Sequence, residues 1–156
     1  MSFRSSALVG LSLGLILAAC GSAPAVTKCP ASCASPEVQK IVESVAKEHP
    51  ELVRLTVHAK GKGCDQFCAI ASTVPAKICK LSDPEDLEAM NTGKPVVLDE
   101  VGAVDVTLPA IRTGAQWTSA IGVTFRPNAA MKREQFVDLA AAIAKVVEDR
   151  MRALPK

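Results

Sequence analysis

Tyrosine is absent from this 156-residue chain, and aromatic residues make up 3% of it: Phe3, Phe67, Phe125, Phe136 and Trp117. So few flat rings exclude a sugar-stacking surface and an aromatic cage for quaternary cations, leaving aliphatic and polar groups to hold any ligand. An excess of charge of one sign is also missing. The 18 Lys and Arg stand against 16 Asp and Glu with no long run of either, so nucleic acid is excluded as a partner. The histidines are His49 and His58 alone. No CxxCH sequence is present to attach a c-type haem, and the CxxC of thioredoxin-type oxidoreductases is lacking. No serine sits in a nucleophile elbow, and no spacing suggests a Ser, His and acid grouping. Neither catalytic residues nor a cofactor is therefore expected. After residue 20 no apolar run approaches the roughly 20 residues of a membrane span.

What is present begins with an address. Arg4 supplies a positive start, residues 7–18 form an apolar stretch too short to span a bilayer, and Leu17-Ala18-Ala19-Cys20 closes it. A small pair directly before a cysteine resembles the lipobox of bacterial lipoproteins. The resemblance implies a signal peptide over 1–19, cleavage before Cys20, and lipid on the Cys20 sulfur with an acylated new N-terminus. Acyl chains would then be the membrane anchor. Gly21-Ser22 lacks the aspartate that resembles an inner-membrane retention signal, so in a Gram-negative cell the periplasmic face of the outer membrane is expected. Removing residues 1–19 from the 156-residue chain leaves 137, enough for one domain.

Residues 20–34 read as a tether, small, polar and proline-broken up to residue 28, with a CxxxC pair at its end. A domain follows over 35–156. Ser35-Pro36-Glu37 offers a cap, a proline at the first helical position and an early acid, with Val38, Ile41, Val42 and Val45 on one face, predicting a helix over 36–48. His49-Pro50 stops it. Val53, Leu55, Val57 and Ala59 alternate with Arg54, Thr56 and His58 as in a half-buried strand, and residues 67–71 look like its antiparallel partner across Gly61-Lys62-Gly63. An irregular segment over 72–81 leads to a short helix from Asp83-Pro84-Glu85 to Gly93. Strands over 95–101, 103–109 and 117–125 and an amphipathic helix over 132–152 complete the chain. The fold class expected is α+β: a five-stranded antiparallel sheet with flanking N- and C-terminal helices.

In this order, Ala71-Ser72, Ile78-x-Lys80, residues 82–90 (SDPEDLEAM) and 92–97 (TGKPVV), continuing through Thr107-Leu108-Pro109 and Ala120-Ile121-Gly122-Val123, resemble the central stretch of extracytoplasmic Cache domains, the PAS-like sensors of bacteria. The resemblance spans about 36–126 and implies a PAS-like ligand-binding fold. It departs from the family in having neither membrane span nor output domain, so an envelope protein partner is expected to relay any signal. At Cys79 this stretch of the family commonly carries glycine. No counterpart of the amino-acid-binding motif of double-Cache sensors is found, so no ligand residue is carried over.

Beyond Cys20 the cysteines are Cys29, Cys33, Cys64, Cys68 and Cys79. In an oxidising compartment disulfides are the default, among Cys29, Cys33, Cys64 and Cys68, with a thiol left over. Fully extended, either CxxxC pair would separate its Cα atoms by roughly 13 Å, so a local bridge needs a bent turn. Two local loops are one arrangement. A bridge from the first pair to the second is preferred, because closing a longer loop restrains the unfolded chain more, and it would pin the N-terminal segment to the first hairpin. Thiolates gathered around copper or zinc are the alternative, giving a metal-handling lipoprotein, although no histidine adjoins either pair.

A pocket is expected on the sheet face opposite the helices. There Asp105 and Thr107 share a face, and if 72–92 arches over it, room remains for a small polar metabolite with Asp105, Thr107, Arg112 and Trp117 lining or gating it. Arg54 is a further anion-binding position. His58 reads as a solvated edge residue and His49 as a helix-end cation. The function expected is a lipid-anchored cell-envelope small-molecule-binding module without catalytic activity. A metal-handling or purely structural envelope lipoprotein stands as the alternative.

Overall fold

Cap chemistry starts two of the helices where the sequence supplies it. In the computed structural model, which describes residues 28–155, the Ser35 hydroxyl accepts from the Val38 N–H at 3.4 Å and Pro36 opens helix α1, Pro36–Glu48. The signal segment 1–19, Cys20 and residues 21–27 lie outside the described residues. Helix α2, Pro84–Thr92, starts behind Asp83, whose N–H donates to the Asp86 carboxylate at 2.8 Å. It stops at Gly93, whose φ of +69° is a left-handed conformation that glycine adopts without steric cost. The strands are β1 Leu52–Lys60, β2 Phe67–Ser72, β3 Val96–Glu100, β4 Ala103–Pro109, β5 Arg112–Thr113, β6 Gln116–Trp117 and β7 Ser119–Phe125. Helix α3, Arg133–Arg152, comes last. None of the described helices is long and apolar enough to cross a membrane.

Five strands form one antiparallel sheet in the order β2-β1-β7-β4-β3, with β5 and β6 a separate two-stranded ribbon. The α+β architecture expected from the element order is the one observed. On one face Leu55, Val57, Val106, Ile121, Val123 and Phe125 meet Val38, Val42 and Val45 of α1 and Phe136, Ala140, Ile143 and Val147 of α3. The Phe125 and Phe136 rings pack at a tilt, 5.5 Å between centroids. Burying this face is the main driving force for the fold.

The second face is covered too, which departs from the half-buried reading of β1 and agrees with an arch of 72–92 over Asp105 and Thr107. Segment 73–83 and α2 lie across it, burying Thr56, His58, Asp105, Thr107 and Thr124. His58 is 8% exposed on an interior strand, so it is not a solvated edge residue. Trp117 leaves the sheet: Thr118 interrupts the strand expected over 117–125, its N–H donating to the Ile111 carbonyl at 2.8 Å, and the indole belongs to the β5–β6 ribbon.

Residues 28–34, grouped by composition with the tether, pack against the end of the sheet. Lys28 bridges Lys80, the Cys29 N–H donates to the Cys79 carbonyl at 2.8 Å, and a 3-10 turn at Ala31–Cys33 buries Cys33. Gly61 lies so close that a Cβ there would overlap the Cys33 backbone.

Candidate functional site

Three groups of side chains stand apart from the apolar core: a polar network beneath α2, a cluster of cysteines, and an open cleft at the β5–β6 ribbon.

Beneath α2 the polar face of the sheet satisfies itself. Asp105, 5% exposed, accepts from the Thr124 hydroxyl, from Thr107 Oγ1 at 3.4 Å and from Arg54 Nη2 at 3.2 Å. Arg54 also reaches Glu100 at 3.1 Å. Burial works against the Arg54 charge, but Asp105 and Glu100 outweigh it and hold the guanidinium above its usual pKa. Next to it His58 Nδ1 meets Ser82 Oγ at 3.0 Å and Asp86 Oδ2 at 3.1 Å. Burial pushes His58 down to about 3, with Lys77 and Arg54 acting in the same sense, so its ring is neutral. Burial pushes Asp86 up to about 7 against the Asp83 N–H bond that would lower it, aided by Glu85, Asp83 and Asp105. The space left among these groups is about 20 Å³, room for one water and no metabolite. Asp105 and Thr107 therefore do not line a ligand pocket, and Arg54 is committed to two carboxylates. The alternation of β4 placed them correctly on one face; that α2 and the side chains themselves fill that face was not legible in it.

The cysteines of the two CxxxC pairs converge with Cys79. Cys29 and Cys68 form a disulfide spanning 39 residues, joining the first pair to the second. Cys64 Sγ lies 3.0 Å from Cys29 Sγ and 3.7 Å from Cys68 Sγ, and all three sulfurs fall within 4.8 Å of one another. Cys33 and Cys79 are free thiols in contact beside them. Burial, then Cys79 and Cys64, push the Cys33 thiol up to about 12. Cys79 is the one described non-glycine residue at positive φ, +62°. His49 pairs with Glu51 at 2.9 Å.

Arg112 and Trp117 are brought together, away from Asp105 and Thr107. The Arg112 guanidinium sits 5.6 Å over the Trp117 ring and Lys60 Nζ 5.3 Å over the Phe67 ring. These two pairs wall an open cleft of two adjoining lobes, about 550 and 430 Å³, that share Lys60, Phe67, Gln116 and Trp117. Gly93 admits the indole: a Cβ there would stand 2.8 Å from Trp117 Nε1. Among the described residues no acid lines either lobe. Ser119, 2% exposed, lines the second lobe, and its hydroxyl has no hydrogen-bond partner among the described residues. A buried hydroxyl without a partner costs about 1–3 kcal/mol, and this one is closed off from the cleft by its own burial. Lys60, Phe67 and Ser119 escaped the sequence reading. Pairing the first hairpin in register would have placed Lys60 opposite Phe67, and a serine heading the apolar alternation Ile121, Val123, Phe125 was a visible irregularity.

No protein-family model matches the chain, and no curated protein matches it. Solved structures do. The GAF domain of A. aeolicus nlh2 in an inactive state is similar at a TM-score of 0.53 and 10% identity, over 74% of this chain and 91% of that one. The type II free methionine-R-sulfoxide reductase from Thermoplasma acidophilum is similar at 0.50 and 12% identity, over 77% and 93%. At such identities the likeness is one of fold: a five-stranded antiparallel sheet with flanking helices, of the GAF and PAS-like kind.

Proposed function

We propose that this chain is a lipid-anchored cell-envelope module that binds a small organic anion and performs no catalysis. The binding reading rests on the cleft at the β5–β6 ribbon. Two cations stacked on aromatic faces flank a space that no acid among the described residues lines. Stacking holds Arg112 in place while leaving its in-plane N–H edge available, the geometry suited to a carboxylate or phosphate. The apolar body of such a ligand would lie on Trp117, Phe67, Ile111 and Met151. Anchoring rests on Leu17-Ala18-Ala19-Cys20 alone, and an envelope partner reads the occupied state.

A thermal-shift screen of the full chain against small carboxylic acids and phosphate monoesters tests the binding reading. At about a hundredfold excess over Kd a ligand confined to the folded state adds about 2.7 kcal/mol, enough to raise Tm by several degrees. Arg112→Ala should abolish most of that rise. A panel without any shift, or a shift indifferent to Arg112→Ala, overturns it.

A further inference from the structure

The Cys29–Cys68 disulfide is sealed from solvent, yet a third sulfur touches it. Cys68 is 0% exposed and Cys29 7%. Each is held by backbone hydrogen bonds or bridges: Cys29 to Cys79, and Cys68 to Leu81 and Ala59. Cys64 sits instead in the turn between β1 and β2, half-buried, its N–H donating to the Gly61 carbonyl at 3.1 Å. Of the free thiols, Cys33 is buried and kept protonated at neutral pH. Among the described residues Cys64 alone both contacts the disulfide, 3.0 Å from Cys29 Sγ, and is part-exposed.

We infer that Cys64 is a relay thiol that carries the buried disulfide to the surface by exchange. The Cys64 thiolate attacks Cys29 Sγ; the Cys64–Cys29 bond forms as Cys29–Cys68 breaks, and the electron pair leaves on Cys68, which takes up a proton. This step is an isomerisation with no net oxidation. The new bond has one sulfur in the exposed turn. A low-molecular-weight thiol then attacks Cys64, forming a mixed disulfide and releasing Cys29 as thiolate. A second such thiol removes the first as its disulfide, and Cys29, Cys64 and Cys68 are all left reduced. Two external thiols are oxidised for one protein disulfide reduced. Without Cys64 the external thiol must reach Cys29 or Cys68 directly through the packed 3-10 turn.

Cys64 Sγ lies beside the bond, 3.0 Å from Cys29 Sγ and 3.7 Å from Cys68 Sγ, so in-line attack on Cys29 needs a small shift of the exposed turn that carries Cys64. The arrangement has an asymmetry. Removing Cys68 leaves Cys29 a partner in Cys64, so a crosslink between the N-terminal segment and the hairpin survives. Removing Cys29 leaves none.

The test uses the oxidised full chain, acid-quenched alkylation and peptide mapping. Wild type should yield both the Cys29–Cys68 and Cys29–Cys64 peptides, and Cys68→Ser should yield Cys29–Cys64. Reduction by glutathione should be about tenfold slower or more in Cys64→Ser. Unfolding midpoints of oxidised Cys64→Ser and Cys64→Ala should match wild type, separating slow exchange from misfolding. Equal reduction rates overturn the relay, as does Cys64 fully alkylated in every preparation. Copper or zinc retained by three reduced thiols in the native mass spectrum overturns it in favour of a metal site.

Discussion

Replacing His58 with asparagine should make the protein gain stability on acidification relative to wild type. His58 and Asp86 meet at 3.1 Å beneath α2 and are 8% and 4% exposed. Asp86 has its folded pKa raised to about 7 from 3.8, so the folded state holds its proton more tightly. Its contribution is fully present below about pH 4 and is lost as pH rises through about 7. His58 has its folded pKa lowered to about 3 from 6.5. Its contribution is present above about 6.5 and is lost as pH falls toward 3. Over the shared window the two slopes are opposite and nearly equal, so in wild type they cancel. Asparagine at 58 keeps an amide donor where Nδ1 stood and removes the histidine slope. Integrating one proton between about pH 6.5 and about pH 4.5 gives a relative gain of about 2 kcal/mol on acidification. Asp86→Asn should show the mirror image, a relative loss of about 2 kcal/mol over the same window. Urea titrations followed by the single tryptophan, Trp117, at several pH values supply the measurement. Offsets from the lost cap bond do not matter, because the slope is the readout. A His58→Asn protein with no relative gain means that the folded protein does not hold His58 neutral, and an Asp86→Asn protein with no relative loss means that it does not hold Asp86 protonated.

Cys29→Ser should cost about 4 kcal/mol through loss of a crosslink spanning 39 residues, measured as the drop in unfolding free energy under oxidising conditions. Gly61→Ala forces a methyl into the Cys33 backbone and should cost about 1–3 kcal/mol, with the N-terminal segment losing protection from amide exchange. Unchanged protection there would show that 28–34 does not dock as described. Cys20→Ser should move the protein from the membrane fraction to the soluble one; unaltered fractionation removes the proposed anchor.

What the chain alone determined is whatever depends on neighbours along it. Ser35-Pro36 and Asp83-Pro84 set the starts of α1 and α2 because a cap needs only the next few N–H groups, and Gly93 set an end because left-handed backbone is a local matter. Period-two alternation sorted Val106 and Leu108 from Asp105 and Thr107, since opposite sides of a strand are a property of the strand. The five-stranded sheet with helical cover followed from the succession of such elements.

Tertiary structure decided everything that depends on what arrives from afar. Alternation marks a polar face but is silent on whether water or α2 covers it. That difference turned His58 from a surface residue into a neutral buried base, and Asp105 from a ligand contact into the partner of Arg54, Thr107 and Thr124. Spacing within each CxxxC pair likewise carries no record of which sulfurs meet. The 3-10 turn at Ala31–Cys33, packed against Gly61, brings Cys29 to Cys64 and Cys68. The cleft forms where Lys60 and Phe67 of one hairpin face Arg112 and Trp117 of another, about fifty residues away along the chain, and only packing can join groups that distant.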